Sequence, residues 1–170
     1  MKIAVIVAMD KELQQLHSFF HSRDIFVSKS GIGKVNAAIK TLEIIKNFSP
    51  DVIISSGCAG GNGEGVNIQD IVVSTELAYH DAYCGKADNG STQYGQIQGL
   101  PARFKADPKL LIKAHDLAQK NPHLNIHQGV IVTGDYFVDS KEKMREIISK
   151  FPEAKAVDME SCAIAHTCYL

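Results

Sequence analysis

The 170-residue chain is poor in several things, and each shortage removes a class of protein. Cysteine is sparse: Cys58, Cys84, Cys162 and Cys168 form no CxxC pair and no His/Cys cluster at zinc spacing. Cys162 and Cys168 flank His166, but their separation on one helix is poor metal geometry. A disulfide scaffold and a structural zinc site are thereby disfavoured, leaving reduced thiols partly used as small core residues. Charge excess is missing too. A net charge of −1 gives no general attraction to nucleic acid or to an anionic membrane. The basic residues between Lys105 and Lys113 are interspersed with acid, as on a solvated helix face. No apolar run approaches the roughly 20 residues of a membrane span. The N-terminal run, residues 3–9, gives way at once to Asp10, Lys11 and Glu12, unlike a signal peptide. A cytoplasmic protein is expected. Neither a P-loop nor a GxGxxG pattern occurs, so a nucleoside triphosphate or dinucleotide cofactor has no support. No internal repeat or low-complexity segment is visible.

What remains is the composition of an ordinary globular protein, 45% hydrophobic and 22% charged, long enough for one domain over residues 1–170. Short β-branched runs predict strands at residues 3–7, 24–28, 52–55, 70–74, 126–133 and 155–157. Helical spacing predicts helices between them. Residues 11–20 carry Leu13, Leu16, Phe19 and Phe20 at that spacing, and helices are also expected at 35–47, 109–119, 140–149 and after Glu160. Residues 79–105, with Asn89-Gly90, read as a long excursion or lid. Alternation of strand and helix means an α/β domain with a largely parallel or mixed sheet. Ligands of such sheets sit at the carboxyl ends of the strands.

Four strand ends carry unusual chemistry, and their origin in distant parts of the chain predicts one composite pocket. Ala156-Val157-Asp158-Met159-Glu160 is a hydrophobic approach ending in two acids. It places Glu160 at a helix entrance, where a carboxylate can accept hydrogen bonds from a sugar diol. Glu12 reads either as a general base or as a first-turn acid complementing the helix dipole. In Ser56-Gly57-Cys58-Ala59-Gly60-Gly61, small residues let a ligand approach exposed amides. A nucleophilic Cys58 would lack an obvious histidine partner. Gly134-Asp135-Tyr136-Phe137-Val138 offers aromatic surface: Phe137 could stack on a flat base, or one aromatic could be core and the other surface. Gly31-Ile32-Gly33-Lys34 reads as a tight turn before a helix, and His80 as a hydrogen-bonded structural residue or a catalytic one.

Taken in order, Ala8-Met9-Asp10-Lys11-Glu12, Ser30-Gly31-Ile32-Gly33-Lys34, Ser56-Gly57-Cys58-Ala59-Gly60-Gly61, Tyr79-His80-Asp81-Ala82, Thr133-Gly134-Asp135-Tyr136-Phe137 and Val157-Asp158-Met159-Glu160 resemble the 5′-methylthioadenosine/S-adenosylhomocysteine nucleosidases of the purine nucleoside phosphorylase superfamily. The resemblance implies a nucleoside phosphorylase-like fold, a single three-layer domain with a central mixed β-sheet. It also implies cleavage of an N-glycosidic bond by water, through an oxocarbenium-like transition state with adenine leaving. Glu12 would orient or deprotonate the water. Glu160 would bind the ribose hydroxyls with Met159 against the sugar, and Phe137 would stack on adenine while the Val138 backbone reads its edge. Met9 and Ile32 would line the sugar and alkylthio side, and Cys58, Ala59 and Gly60 the water side. No cofactor and no metal are implied; the partners would be a small-molecule nucleoside and a second copy in a homodimer.

Three departures accompany the resemblance. Residues 20–29 are shorter than the family's corresponding segment. Cys58 stands where the family usually has a serine, and a thiol is the weaker hydrogen-bonding group. The family's leaving-group acid is an aspartate on a further strand, preceded by an arginine, and no residue up to Leu170 corresponds to either. The expectation is therefore a fold lacking the last strand and helix, with turnover impaired or the acid otherwise supplied. The alternatives are a nucleoside-binding remnant and a phosphorylase. The latter would need a cationic phosphate site, and neither residues 9–12 nor the Cys58 loop supplies an arginine.

Overall fold

Two groups of parallel strands organise the computed structural model, which describes residues 1–17, 20, 22–62, 65–85 and 92–170, His17 by its backbone alone. Phe19 and the Asn89-Gly90 pair lie outside the described residues. The chain gathers into two compact units, one of Met1–Cys58 with Met159–Leu170 and one of Ala59–Asp158. Each is described by itself.

In the first unit, β1 (Ile3–Val7) is flanked by β2 (Ile25–Lys29) and β3 (Val52–Ser55), both parallel to it. Val5, Ile6 and Val7 are all buried, as befits a central strand covered on both faces, which is why its sequence is continuously apolar. The intervening helices are α1 (Asp10–His17) and α2 (Lys34–Phe48). The latter ends at Ser49 in the left-handed region, immediately before Pro50. It buries Ala37, Thr41 and Ile44, and packs against α5 (Ser161–Tyr169), which buries Ser161, Cys162, Ala163 and Ile164.

The second unit is built on a five-stranded mixed sheet of order β4-β8-β7-β5-β6. Its strands are β4 (Gly60–Gly61), β5 (Ile71–Tyr79), β6 (Phe104–Lys105), β7 (Ile126–Thr133) and β8 (Ala154–Asp158). The β5–β7 and β7–β8 ladders are parallel, while the two short edge strands pair antiparallel. Helices α3 (Pro108–Lys120) and α4 (Lys141–Lys150) have strong starts. The Asp107 carboxylate accepts from Lys109 N and Leu110 N with Pro108 following it, and the Ser140 hydroxyl accepts from Lys143 N. Ala78, Val130, Val132, Ile147, Phe151, Ala154 and Val157 form the core, with Val138, Met144 and Ile148 packed on it.

The α/β expectation with a parallel or mixed sheet holds. Its main error is β5, expected at residues 70–74 but running on to Tyr79. The register shifts between Ser74 and Glu76, so Thr75 is an extra residue and the alternation expected of a half-buried strand breaks there. The two-residue strands β4 and β6 are too short to leave a periodic signal. Asp70 itself lies ahead of β5, its carboxylate accepting from Asn67 N at 2.8 Å and lying 2.8 Å from His127 Nε2. The Asn67 amide and then His127 hold the Asp70 carboxyl down at about 2.

Candidate active site

Because β1, β2 and β3 are parallel, their carboxyl ends share one edge, and three of the singled-out segments leave from it. Past β1, Met9 is the N-cap residue of α1, its carbonyl accepting from Leu13 N at 3.1 Å. Glu12 is the third residue of that helix, and its side chain folds back on the preceding turn. Its Oε2 accepts from Ala8 N and Met9 N, each at 2.9 Å. This is the carboxylate half of a capping box. Its Oε1 accepts from Cys58 N, also at 2.9 Å, in the loop after β3. Three charge-assisted bonds from backbone donors fix the carboxylate, and the residue is only 9% exposed. The exposed first-turn acid is therefore not what the structure shows.

Past β2, Ser30 ties its loop to β1 by donating from its amide to Val7 O at 2.8 Å. Gly31 and Gly33 both adopt positive φ, which opens the tight turn into α2. Gly33 N then donates to Glu160 Oε1 at 2.8 Å. Glu160 stands at the N-cap position of α5, the helix entrance expected from sequence, and directs this oxygen to the glycine turn rather than to its own helix. Met9, Ile32 and Cys58 present exposed side chains, while Met159 and Glu160 are half-buried. An ion pair of 2.7 Å between Lys29 and Asp10 joins the end of β2 to the start of α1.

The remaining residues belong to the second unit, where the carboxyl ends of β5, β7 and β8 also lie together. His80 N donates to Thr133 O at 2.9 Å, Gly134 N to Asp158 O at 3.1 Å, and Asp135 N to Asp81 Oδ2 at 2.8 Å. The Thr133 hydroxyl donates to Asp158 Oδ1 at 2.5 Å. His80 is buried, its ring edge-on to Tyr136 with centroids 4.9 Å apart. A Cβ at Gly134 would run into the His80 ring. Burial pushes the Tyr136 phenol up, and the Glu146 carboxylate adds to the effect. Phe137 is 74% exposed, whereas Val138 packs on the core. Lys143 pairs with Asp139 at 2.8 Å and lowers that carboxyl, securing the segment that follows. Ala59 leads into β4, where Gly60 pairs with Val157.

The structure thus brings Glu12, Cys58, Gly33 and Glu160 to one sheet edge of the first unit, and places Ala59, Gly60, Phe137 and Val138 in the second. Sequence reasoning named both the thiol of Cys58 and the exposed amides of its loop, and the Cys58 amide is bonded to Glu12, while the amides of Ala8 and Gly33 were missed. Backbone donors carry no residue-type signal. The nearest thing to one is the run of glycines in the two loops. Among the described residues, no group of three His, Cys, Asp or Glu side chains is arranged to hold a metal. No helix among them is long and apolar enough to cross a membrane.

Comparison with known proteins bears on the same segments. Residues 17–170 match the phosphorylase superfamily. The 5′-methylthioadenosine/S-adenosylhomocysteine nucleosidase of an Exiguobacterium species is 37% identical over 99% of this chain and 79% of its own length. That of Staphylococcus aureus is 43% identical over 86% of this chain and 63% of its own. Among solved structures, the Neisseria meningitidis nucleosidase in complex with methylthio-immucillin-A superposes with a TM-score of 0.90 at 39% identity, covering 99% of this chain and 79% of that one. The Colwellia psychrerythraea nucleosidase in complex with adenine gives 0.89 at 31% identity, covering 99% and 76%. The matches extend over nearly the whole chain: it belongs to the 5′-methylthioadenosine/S-adenosylhomocysteine nucleosidase family, within the phosphorylase superfamily.

Proposed function

We propose that this chain hydrolyses the N-glycosidic bond of 5′-methylthioadenosine and S-adenosylhomocysteine and releases adenine, as N-glycosidic hydrolases of its family do. The observation that carries this reading is the Glu12 carboxylate, buried at a strand end and held by three amide donors. Its Oε1 keeps one lone pair beyond the one the Cys58 amide occupies, and a water bound there would be oriented by a group that cannot swing away. In the reaction the water oxygen bonds to the sugar's anomeric carbon as the C1′–N9 bond breaks. The bonding pair leaves with the purine, which takes a proton from solvent to become adenine, and Glu12 takes the water's proton. Positive charge grows on the ribose ring, where a fixed carboxylate stabilises it.

In the same reading Glu160 holds the ribose hydroxyls, with Gly33 N–H fixing one of its oxygens. Met159, Met9 and Ile32 face the sugar and alkylthio group. Phe137 stacks on adenine and the Val138 backbone reads its edge, while Ala59 and Gly60 continue the Cys58 loop. We extend the proposal to residues 1–170 acting as one domain in a cytoplasmic homodimer, the state the resemblance implies; sedentimentation equilibrium would test the dimer.

Adenine release from either nucleoside, measured with and without phosphate, tests the reading. Phosphate-independent release that is lost in Glu12→Gln supports it. Strict phosphate dependence would make the chain a phosphorylase, and binding without turnover would leave a nucleoside-binding protein.

A further inference from the structure

Two of the three amides that hold Glu12 lie in its own turn, and the third, Cys58 N–H, lies across the loop after β3. To meet it the carboxylate must pass directly over residue 57. A Cβ built at Gly57 would stand 2.9 Å from Glu12 Oε1, 3.4 Å from Cδ and 3.6 Å from Oε2, and these are its three nearest heavy atoms. Carbon and oxygen do not settle at the first of these separations. The tip of a long side chain would ordinarily swing aside, but this one is pinned by its hydrogen bonds. Gly57 is not among the glycines of positive φ, so alanine fits its backbone. The close contact a methyl group would make at this position is with the Glu12 carboxyl.

We propose that Gly57 is a positioning residue for Glu12: the missing side chain sets how closely the carboxylate approaches the Cys58 amide, and so where the attacking water is held. This rests on the reading of Glu12 as the water-orienting base. A methyl group at 57 pushes Oε1 away from Cys58 N and tilts the carboxylate about its remaining bonds to Ala8 and Met9. Substrate contacts elsewhere stay as they were. Turnover therefore suffers while affinity does not.

A double-mutant cycle on the full chain tests this, with Gly57→Ala combined with Glu12→Ala and with Glu12→Gln, reading thermal midpoint and adenine release. Gly57→Ala is expected to lower the midpoint when residue 12 is Glu or the equally long Gln, and to leave it unmoved when residue 12 is Ala. It should lower kcat by about 10- to 100-fold, the effect of a misplaced reacting group, with KM changed by less than about twofold. In the Glu12→Gln background it should cost no further turnover. Equal losses of midpoint in the Glu and Ala backgrounds would overturn the proposal, as would a rise in KM with kcat intact. If the parent chain releases no adenine, the hydrolase reading fails on that ground alone, and the melting cycle still decides the contact between Gly57 and Glu12.

Discussion

The two units hold their strand-end groups by different means. In the first, each carboxylate is tied to backbone amides before any ligand arrives, Glu12 by three and Glu160 by at least the one from Gly33. In the second, hydrogen bonds between Thr133, Gly134, Asp135, Asp81 and Asp158 fix the frame, yet the aromatic ring that follows stands 74% exposed. The difference suits the two tasks proposed for them. A group that must stabilise developing charge gains from being immobile, because reorganising it during the reaction would cost part of the effect. A ring that stacks on a planar base gains its energy from the surface the base covers on arrival.

That contrast breaks or sharpens by substitution. Glu12→Gln should give the largest effect, lowering kcat by roughly 10²–10⁴-fold, the usual contribution of a positioned general base. The glutamine NH₂ would also face an amide donor, so a lower thermal midpoint should accompany the loss. Phe137→Ala should act on the other quantity: removing a base–aromatic stack costs about 1–3 kcal/mol, seen as a rise in KM of about 5- to 150-fold, with the midpoint unchanged. A fall in kcat at constant KM would refute the stacking role proposed for Phe137. Gly134→Ala should be felt as stability instead, because the methyl group enters the His80 ring behind the Phe137 loop. A loss of about 1–3 kcal/mol in denaturant melting is expected for such overpacking.

The smallest effect concerns acid. Asp70 has its carboxyl lowered from 3.8 to about 2 in the folded chain. A depressed carboxyl contributes stability that is fully present above its unfolded value and fades as pH falls through the folded one. Wild type should therefore melt above Asp70→Asn near neutral pH, and the gap should close between about pH 4 and about pH 2. A gap that does not change over that interval would refute the assignment.

How much of this was legible in the sequence follows from which atoms carry it. β1 was readable to the residue because a buried strand needs an unbroken apolar run, β3 and β7 because β-branched residues run up to a glycine loop, and Glu160 at the mouth of α5 followed from the change of pattern after Val157. Glu12 could be read as a base or as a surface acid, since both put a carboxylate in a first turn. Only the fold of its side chain onto Ala8, Met9 and Cys58 separates them. The Cys58 loop was noticed for its small residues, but what approaches the backbone there is the protein's own carboxylate. The partnership of His80, Tyr136 and Gly134 was not readable, because two strands distant in sequence must first be set in register.

Register is also where Thr75 matters. Side chains along a strand alternate between faces, and one inserted residue inverts that parity for everything beyond it. Thr75 is that residue in β5, and its carbonyl still serves the fold by accepting from Ala106 N at 3.0 Å. It works as a phase shifter. The face on which Tyr79 and then His80 emerge is set by the pairing of Tyr79 with Thr133, and the extra residue lets that pairing coexist with the one between Ser74 and Gly129. Deleting Thr75 would leave Ser74 opposite Gly129 and Glu76 opposite Val130 in one unbroken ladder, so the bulge would go while Tyr79 kept its face and its partner Thr133.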